Sequence, residues 1–207
     1  DRRFRQVVVV EGIAATGFQL LAARLHQRVM RRRERQLVDD HALQCRARHV
    51  DERGNSIEVI DFCPRFKRSG RMYRPVAFAR IVRPLSGSPR IRMRLRPARQ
   101  WGASRAPTTR GSNHIRYQVD SSVLRLSSTA AIGWLEDERL FRVERPLYFF
   151  LGPDESFVGE IGSSLESMLD QTVDEWRNWV RGLATPYEWQ EAVIRSAITL
   201  KLCQHEE

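Results

Sequence analysis

Two acidic clusters, one row of arginines and three lone cysteines are the parts of this 207-residue chain whose residue types and spacing could do chemistry. Glu136-Asp137-Glu138 supplies three carboxyl groups in a row, and a carboxyl pair can act as general acid and general base when a scaffold holds it across a scissile bond. Adjacent residues on an extended chain point apart, so this cluster reads as a polar turn between strands rather than a catalytic pair. Glu188 and Glu191 sit three residues apart at the start of a helical pattern, where the first is a capping partner and the second a first-turn acid. Arg90, Arg92, Arg94 and Arg96 alternate with Ile91, Met93 and Leu95. A strand would space those guanidinium groups about 6–7 Å apart on one face. A phosphate backbone could use such a row, but the apolar residues between them make an ordinary half-buried strand with a solvated basic side the expected outcome. Cys45, Cys63 and Cys203 show no CxxC spacing, and His26, His41, His49, His114 and His205 show none that would complete a metal site. No catalytic residue, cofactor or metal is therefore assigned.

The elements that must position these groups divide the chain by period. Leu165, Met168, Leu169, Val173, Trp176, Trp179, Val180 and Leu183 recur at three- and four-residue spacing, which predicts a helix over 163–183. Ser163 and Glu166 have capping-box spacing, and Gly182 and Pro186 bracket the end. Thr185-Pro186-Tyr187-Glu188 then predicts a second start: a cap, a first-turn proline and a reciprocal glutamate. In this second helix Trp189, Val193, Ala197, Leu200 and Cys203 or Gln204 line one face, and Ile194, Ile198 and Leu202 broaden it. A face that wide calls for neighbours on more than one side.

Upstream the period shortens. Ile57-Glu-Val-Ile-Asp-Phe62, Val76–Val82, Arg90–Arg96, His114–Val119, Val123–Leu126, Leu140–Val143 and Leu147–Leu151 are short and mostly alternating. Turn residues such as Gly54-Asn55, Ser86-Gly87-Ser88-Pro89, Gly111-Ser112-Asn113 and Gly152-Pro153 separate them. No helical pattern lies between them, which argues for an antiparallel β-sandwich over 51–160 and against a parallel sheet. Trp101, Trp134, Phe78, Tyr148, Phe149 and Phe150 are the expected aromatic core members. Trp176, Trp179 and Trp189 on the terminal helices expect a partner surface; without one they would fold back on the sandwich or stay exposed.

Residues 1–50 have a different character. They contain no Trp, Tyr or Pro, and eleven Arg against five acids place +6 of the formal +10 charge there. Three readings are open: an amphipathic helix with Phe18, Leu21, Leu25 and Val29 on one face, a disordered basic arm, or a shifted reading frame or mis-joined gene model. The last is preferred, because composition changes abruptly near Gly54 and only Lys67 and Lys201 are lysines, as in a G+C-rich coding sequence.

Ile57-Glu-Val-Ile-Asp-Phe-Cys-Pro-Arg65, Arg80-Ile-Val, Arg92-Met-Arg-Leu-Arg-Pro97, Trp176-Arg-Asn-Trp179 and Glu188-Trp-Gln-Glu-Ala-Val-Ile-Arg-Ser-Ala-Ile-Thr-Leu-Lys-Leu202 together resemble the amino-terminal part of bacterial glycoside hydrolase family 15, the glucoamylases, trehalases and their relatives. The resemblance spans roughly residues 54–207. It implies a mainly β fold with C-terminal helices: an antiparallel sandwich, the trehalase-like N-terminal domain, followed over 161–207 by a linker helix and the first helix of an (α/α)6, six-hairpin catalytic barrel. The family's general acid and base are two Glu residues on later barrel segments that no position here matches. An inverting pair needs a rigid concave scaffold holding it roughly 6.5–9.5 Å apart. The chain is accordingly expected to be a fragment, inactive alone, of an inverting α-glucoside hydrolase of carbohydrate metabolism, its sandwich structural and its partner the missing barrel.

Charge supplies the rival reading. A pI near 10.6 suits a basic β-domain that binds polyanions, yet no helix-turn-helix, RNA-recognition or zinc-finger signature is found, so nucleic acid is not the expected partner. A carbohydrate-binding module working without catalysis is a third class. The cysteine usage and the lack of a clean signal-peptide core point to the cytoplasm, and no apolar run is long enough for a membrane span.

Overall fold

The computed structural model describes residues 7–11, 44–186 and 188–204. In chain order the strands are β1 (Val7–Glu11), β2 (Gln44–Val50), β3 (Ser56–Phe62), β4 (Phe66–Arg68), β5 (Arg71–Tyr73), β6 (Phe78–Ser86), β7 (Arg90–Arg96), β8 (Ala98–Arg99), β9 (Ser104–Arg105), β10 (Thr108–Arg110), β11 (His114–Val119), β12 (Ser122–Ser128), β13 (Phe141–Arg142) and β14 (Leu147–Pro153). The helices are α1 (Ile132–Glu136), α2 (Ile161–Arg181) and α3 (Gln190–Cys203). The fold is mainly β with two C-terminal helices, as the change of period predicts.

Seven strands form one antiparallel sheet in the order β10-β11-β12-β14-β6-β3-β2. Its edge strand Gln44–Val50 falls inside the stretch that the sequence left unassigned, so the sheet begins ahead of residue 51. Phe18, Leu21, Leu25 and Val29, the face of the amphipathic-helix reading, lie outside the described residues. A smaller sheet places β7 between β1, which runs parallel to it, and β13, which runs antiparallel.

Side chains alternate across the large sheet, and both of its faces are covered. One face sends Ile57, Val59, Val82, Ile115, Leu126 and Phe149 against Ile91 and Met93 of β7, with Ile132 and Leu135 of α1 closing the end. This is the sandwich core. The opposite face carries Ile60, Phe62, Ala79, Ile81 and Phe150, and packs against Ile161, Leu165, Leu169, Val173 and Trp176 of α2 and Ile194 and Ile198 of α3. A three-layer stack results: small sheet, large sheet, helices. Gly162 lets α2 approach closely, since a Cβ there would lie 3.0 Å from the Tyr148 ring.

Two helix starts differ from the capping pattern. Helix α2 begins at Ile161 because that residue is buried in the helix–sheet core, which draws Ser163 inside the first turn. Its hydroxyl then donates to Glu160 O at 3.2 Å, and Glu166 turns to the sheet. Helix α3 starts at Gln190, after Trp189 in a left-handed conformation, and Thr185 Oγ1 accepts from Gln190 Nε2 at 3.2 Å instead of capping the backbone.

Candidate docking surface

Helix α2 buries its stripe as spaced, with Leu165, Leu169, Val173 and Trp176 inside. Below it, the β4–β5 hairpin clasps the helix. The Arg65 backbone N–H donates to Thr172 Oγ1 at 3.2 Å, and the Arg65 guanidinium lies 4.6 Å from the Trp176 ring centroid, a cation–π contact on a fully buried indole. The same helix is tied to the sheet by Glu166, which accepts from Tyr148 Oη at 2.9 Å and from Arg83 Nη2 at 2.6 Å. These contacts fix the first helix rigidly on the sandwich.

The second helix is seated by fewer residues. Only Ile194 and Ile198 are buried. The stripe expected to dominate, Trp189, Val193, Ala197 and Leu200, is instead half-buried or open: Trp189 is 80% and Leu200 73% exposed. Leu202, expected on the broadening face, is 45% exposed. Ile194 and Ile198 alone join the buried cluster that α2 forms with the sheet, so one narrow edge seats α3 and the rest of its apolar face stays outside. Trp179, Leu183, Ala197 and Leu200 then line a shallow groove between the helices that faces solvent. Lys201 and Gln204 complete the lining of this groove.

The acidic and basic candidates fall elsewhere. Glu138, with φ 50°, lies on the far side of the small sheet and accepts from Arg94 Nε at 2.7 Å and from Arg96 Nε and Nη2 at 2.5 and 2.7 Å. The hydrogen bond from Arg96, with Arg94 beside it, holds its carboxyl below the usual glutamate range, which unsuits it for donating a proton near neutrality. Glu136 pairs with Arg110 at 3.2 Å and Asp137 with Arg139 at 2.6 Å. The polar turn is thus an ion-pair cluster at the end of α1. The arginine row is correspondingly not a solvated face: Arg92, Arg94 and Arg96 are half-buried, and only Arg90 is open. Glu191 pairs with Arg195 at 3.5 Å along the helix, and Glu188 is exposed.

One cluster carried no sequence signal. Arg125 is buried on the part of the large sheet that the helices leave uncovered, and bonds Ser127 Oγ at 3.3 Å, Ser156 Oγ at 3.1 Å and His114 Nδ1 at 3.2 Å, with Asp154 at 3.5 Å. Its position in an alternating strand pattern would have flagged an exposed residue, and only the loop 154–156 folding back buries it. The cluster straps that loop down. Among the aromatic expectations, Phe149 and Phe150 are buried and Phe78 and Tyr148 pack against the cores, but Trp101 is 89% exposed and Trp134 stacks on Phe141 at the surface.

Among the described residues no group of three or more His, Cys, Asp or Glu could hold a metal ion, and no helix is long and apolar enough to cross a membrane. No protein-family model, curated protein or solved structure matches the chain.

Proposed function

We propose that this chain is the supporting module of a glucoamylase- or trehalase-like family 15 glycoside hydrolase. In this reading α2 is the linker helix, and α3 opens the helical layer that carries the catalytic carboxylates. The observation that carries it is the asymmetry of α3: a thin buried edge at Ile194 and Ile198, with Trp189, Leu200 and Leu202 turned outward. Helix-on-helix packing would cover that face, and a barrel of antiparallel helix pairs supplies such neighbours on both sides. The sandwich, pinned to α2 through Glu166 and Arg65, gives the layer a rigid base. The chain alone would not hydrolyse glycosides, and the whole protein would act on α-glucosidic bonds with inversion in the cytoplasm, without an organic cofactor.

The test is to read the coding locus on both sides of this segment and assay the continuous translation product on maltooligosaccharides and trehalose, following the anomer first released by proton NMR. Release of β-glucose supports the reading. A product without hydrolysis on any α-glucoside contradicts it.

A second reading has one specific observation behind it. The β4–β5 hairpin tip, Lys67-Arg68-Ser69-Gly70-Arg71, is exposed throughout and contains no acid. A polyanion would find it, and binding would then fall steeply with salt.

A further inference from the structure

The β8–β9 hairpin ends in three consecutive residues with left-handed backbone: Gln100 at φ 50°, Trp101 at φ 59° and Gly102 at φ 104°. Glycine adopts this region freely, whereas residues with a Cβ are held there only when their surroundings enforce it. Trp101 is also the most exposed of the described tryptophans, at 89%. The tip is held in place nonetheless. Gln100 N–H donates to Asp120 Oδ1 at 3.3 Å, the Arg99 guanidinium faces the same carboxylate at 3.8 Å, and Ala106 N–H closes on Pro97 O at 3.0 Å. Asp120 itself starts the β11–β12 turn with φ 49°. Two turns are thereby tied together, and the indole projects from a fixed point.

One exposed ring by itself is ordinary on a protein surface; held on three successive left-handed residues, it is the arrangement of a contact residue. The neighbours identify the contact. Gln100, Gly102, Ala103, Ser104 and Arg105 are all exposed, and all are small or polar. A stable protein interface buries about 800 Å² on each side around an apolar core built from several residues, and this tip offers one ring. The ligand that fits presents a small apolar patch surrounded by hydrogen-bonding groups, as the C–H face of a pyranose does. We propose that the Trp101 tip is a carbohydrate-contact site, the indole stacking on a neutral hexopyranose while Gln100, Ser104 and Arg105 meet its hydroxyls. The choice of α-glucan as the first ligand rests on the hydrolase reading; the stacking site does not.

Affinity electrophoresis of this chain in gels containing soluble α-glucan or β-glucan, at low and high salt, tests it. Retardation by a glucan that persists in salt is expected. Trp101→Ala should weaken it roughly tenfold, and Trp101→Phe should keep most of it. Trp101→Gly should lose binding while raising the melting temperature, since glycine relieves the left-handed strain; a folding defect would lower both. No retardation by either glucan, undiminished retardation of Trp101→Ala, or binding only to single-stranded oligonucleotide and only at low salt would each overturn the site. Retardation through Trp101 by β-glucan alone upholds the site and counts against the α-glucosidase reading, so the two stand or fall separately.

Discussion

Tyr148 Oη donates to Glu166 Oε1 at 2.9 Å, joining β14 to the second turn of α2, and the other carboxylate oxygen takes Arg83 from β6 at 2.6 Å. One side chain thus ties two strands to the helix. Glu166→Ala should cost about 1–2 kcal/mol in urea denaturation, because the partly exposed Arg83 recovers some hydration. Burial, then the bond to Glu166, raises the Tyr148 pKa above the ordinary tyrosine value. The neutral phenol is favoured in the fold, so its contribution is full below about pH 10 and is lost as pH rises through the folded pKa. Tyr148→Phe should flatten that alkaline loss.

Glu138 gives the opposite limb. Hydrogen bonds from Arg96 and Arg94 lower its pKa, so its contribution is full above the unfolded glutamate pKa and is lost as pH falls through the lower folded value. Glu138→Gln should lose about 1–2 kcal/mol at neutral pH. Denaturation midpoints at pH 7 and at acid pH should differ less in the variant than in the parent chain.

The two faces of α3 should answer mutation differently. Ile198→Ala, at a buried position, should destabilise by about 2–4 kcal/mol. Leu200→Asp, two residues on, should change stability by less than about 0.5 kcal/mol and should reduce binding of a hydrophobic dye. A large loss of stability in Leu200→Asp would mean that the outward face is already packed.

Cysteine reactivity should separate the two described thiols. Burial, with Asp61 adding to it, pushes the Cys63 thiol up to about 11, whereas Cys203 is exposed. Iodoacetamide at pH 8 should label Cys203 quickly and the half-buried Cys63 much more slowly, read by mass spectrometry of the peptides.

Several of these relationships were legible in the sequence. Strand positions such as 90–96 and 114–119 follow from alternation alone, and the α2 stripe from its 3.6-residue period. What could not be read were contacts set by tertiary packing. Ser163 and Glu166 have the spacing of a cap, but burial of Ile161 moved the helix start and released Glu166 to the sheet. Trp189, Val193, Ala197 and Leu200 share one broad apolar face with Ile194 and Ile198 in the sequence, and spacing alone does not say which edge of it is buried; the cluster built with α2 takes only Ile194 and Ile198. Trp101 looked like core because aromatic residues usually are, but the tight β8–β9 turn that carries it leaves the residue 89% exposed. Glu138 looked like a free turn residue until the strand bearing Arg94 and Arg96 was placed beside it.

The outward face of α3 is proposed as one half of a helix–helix seam. Amide hydrogen exchange over 193–202, compared between this chain and the continuous translation product of its locus, tests it most directly. If the seam forms, these amides exchange through local fraying in the chain alone and become strongly protected in the longer product. Equal and rapid exchange in both would show that nothing docks on Trp189, Leu200 and Leu202, and would contradict it.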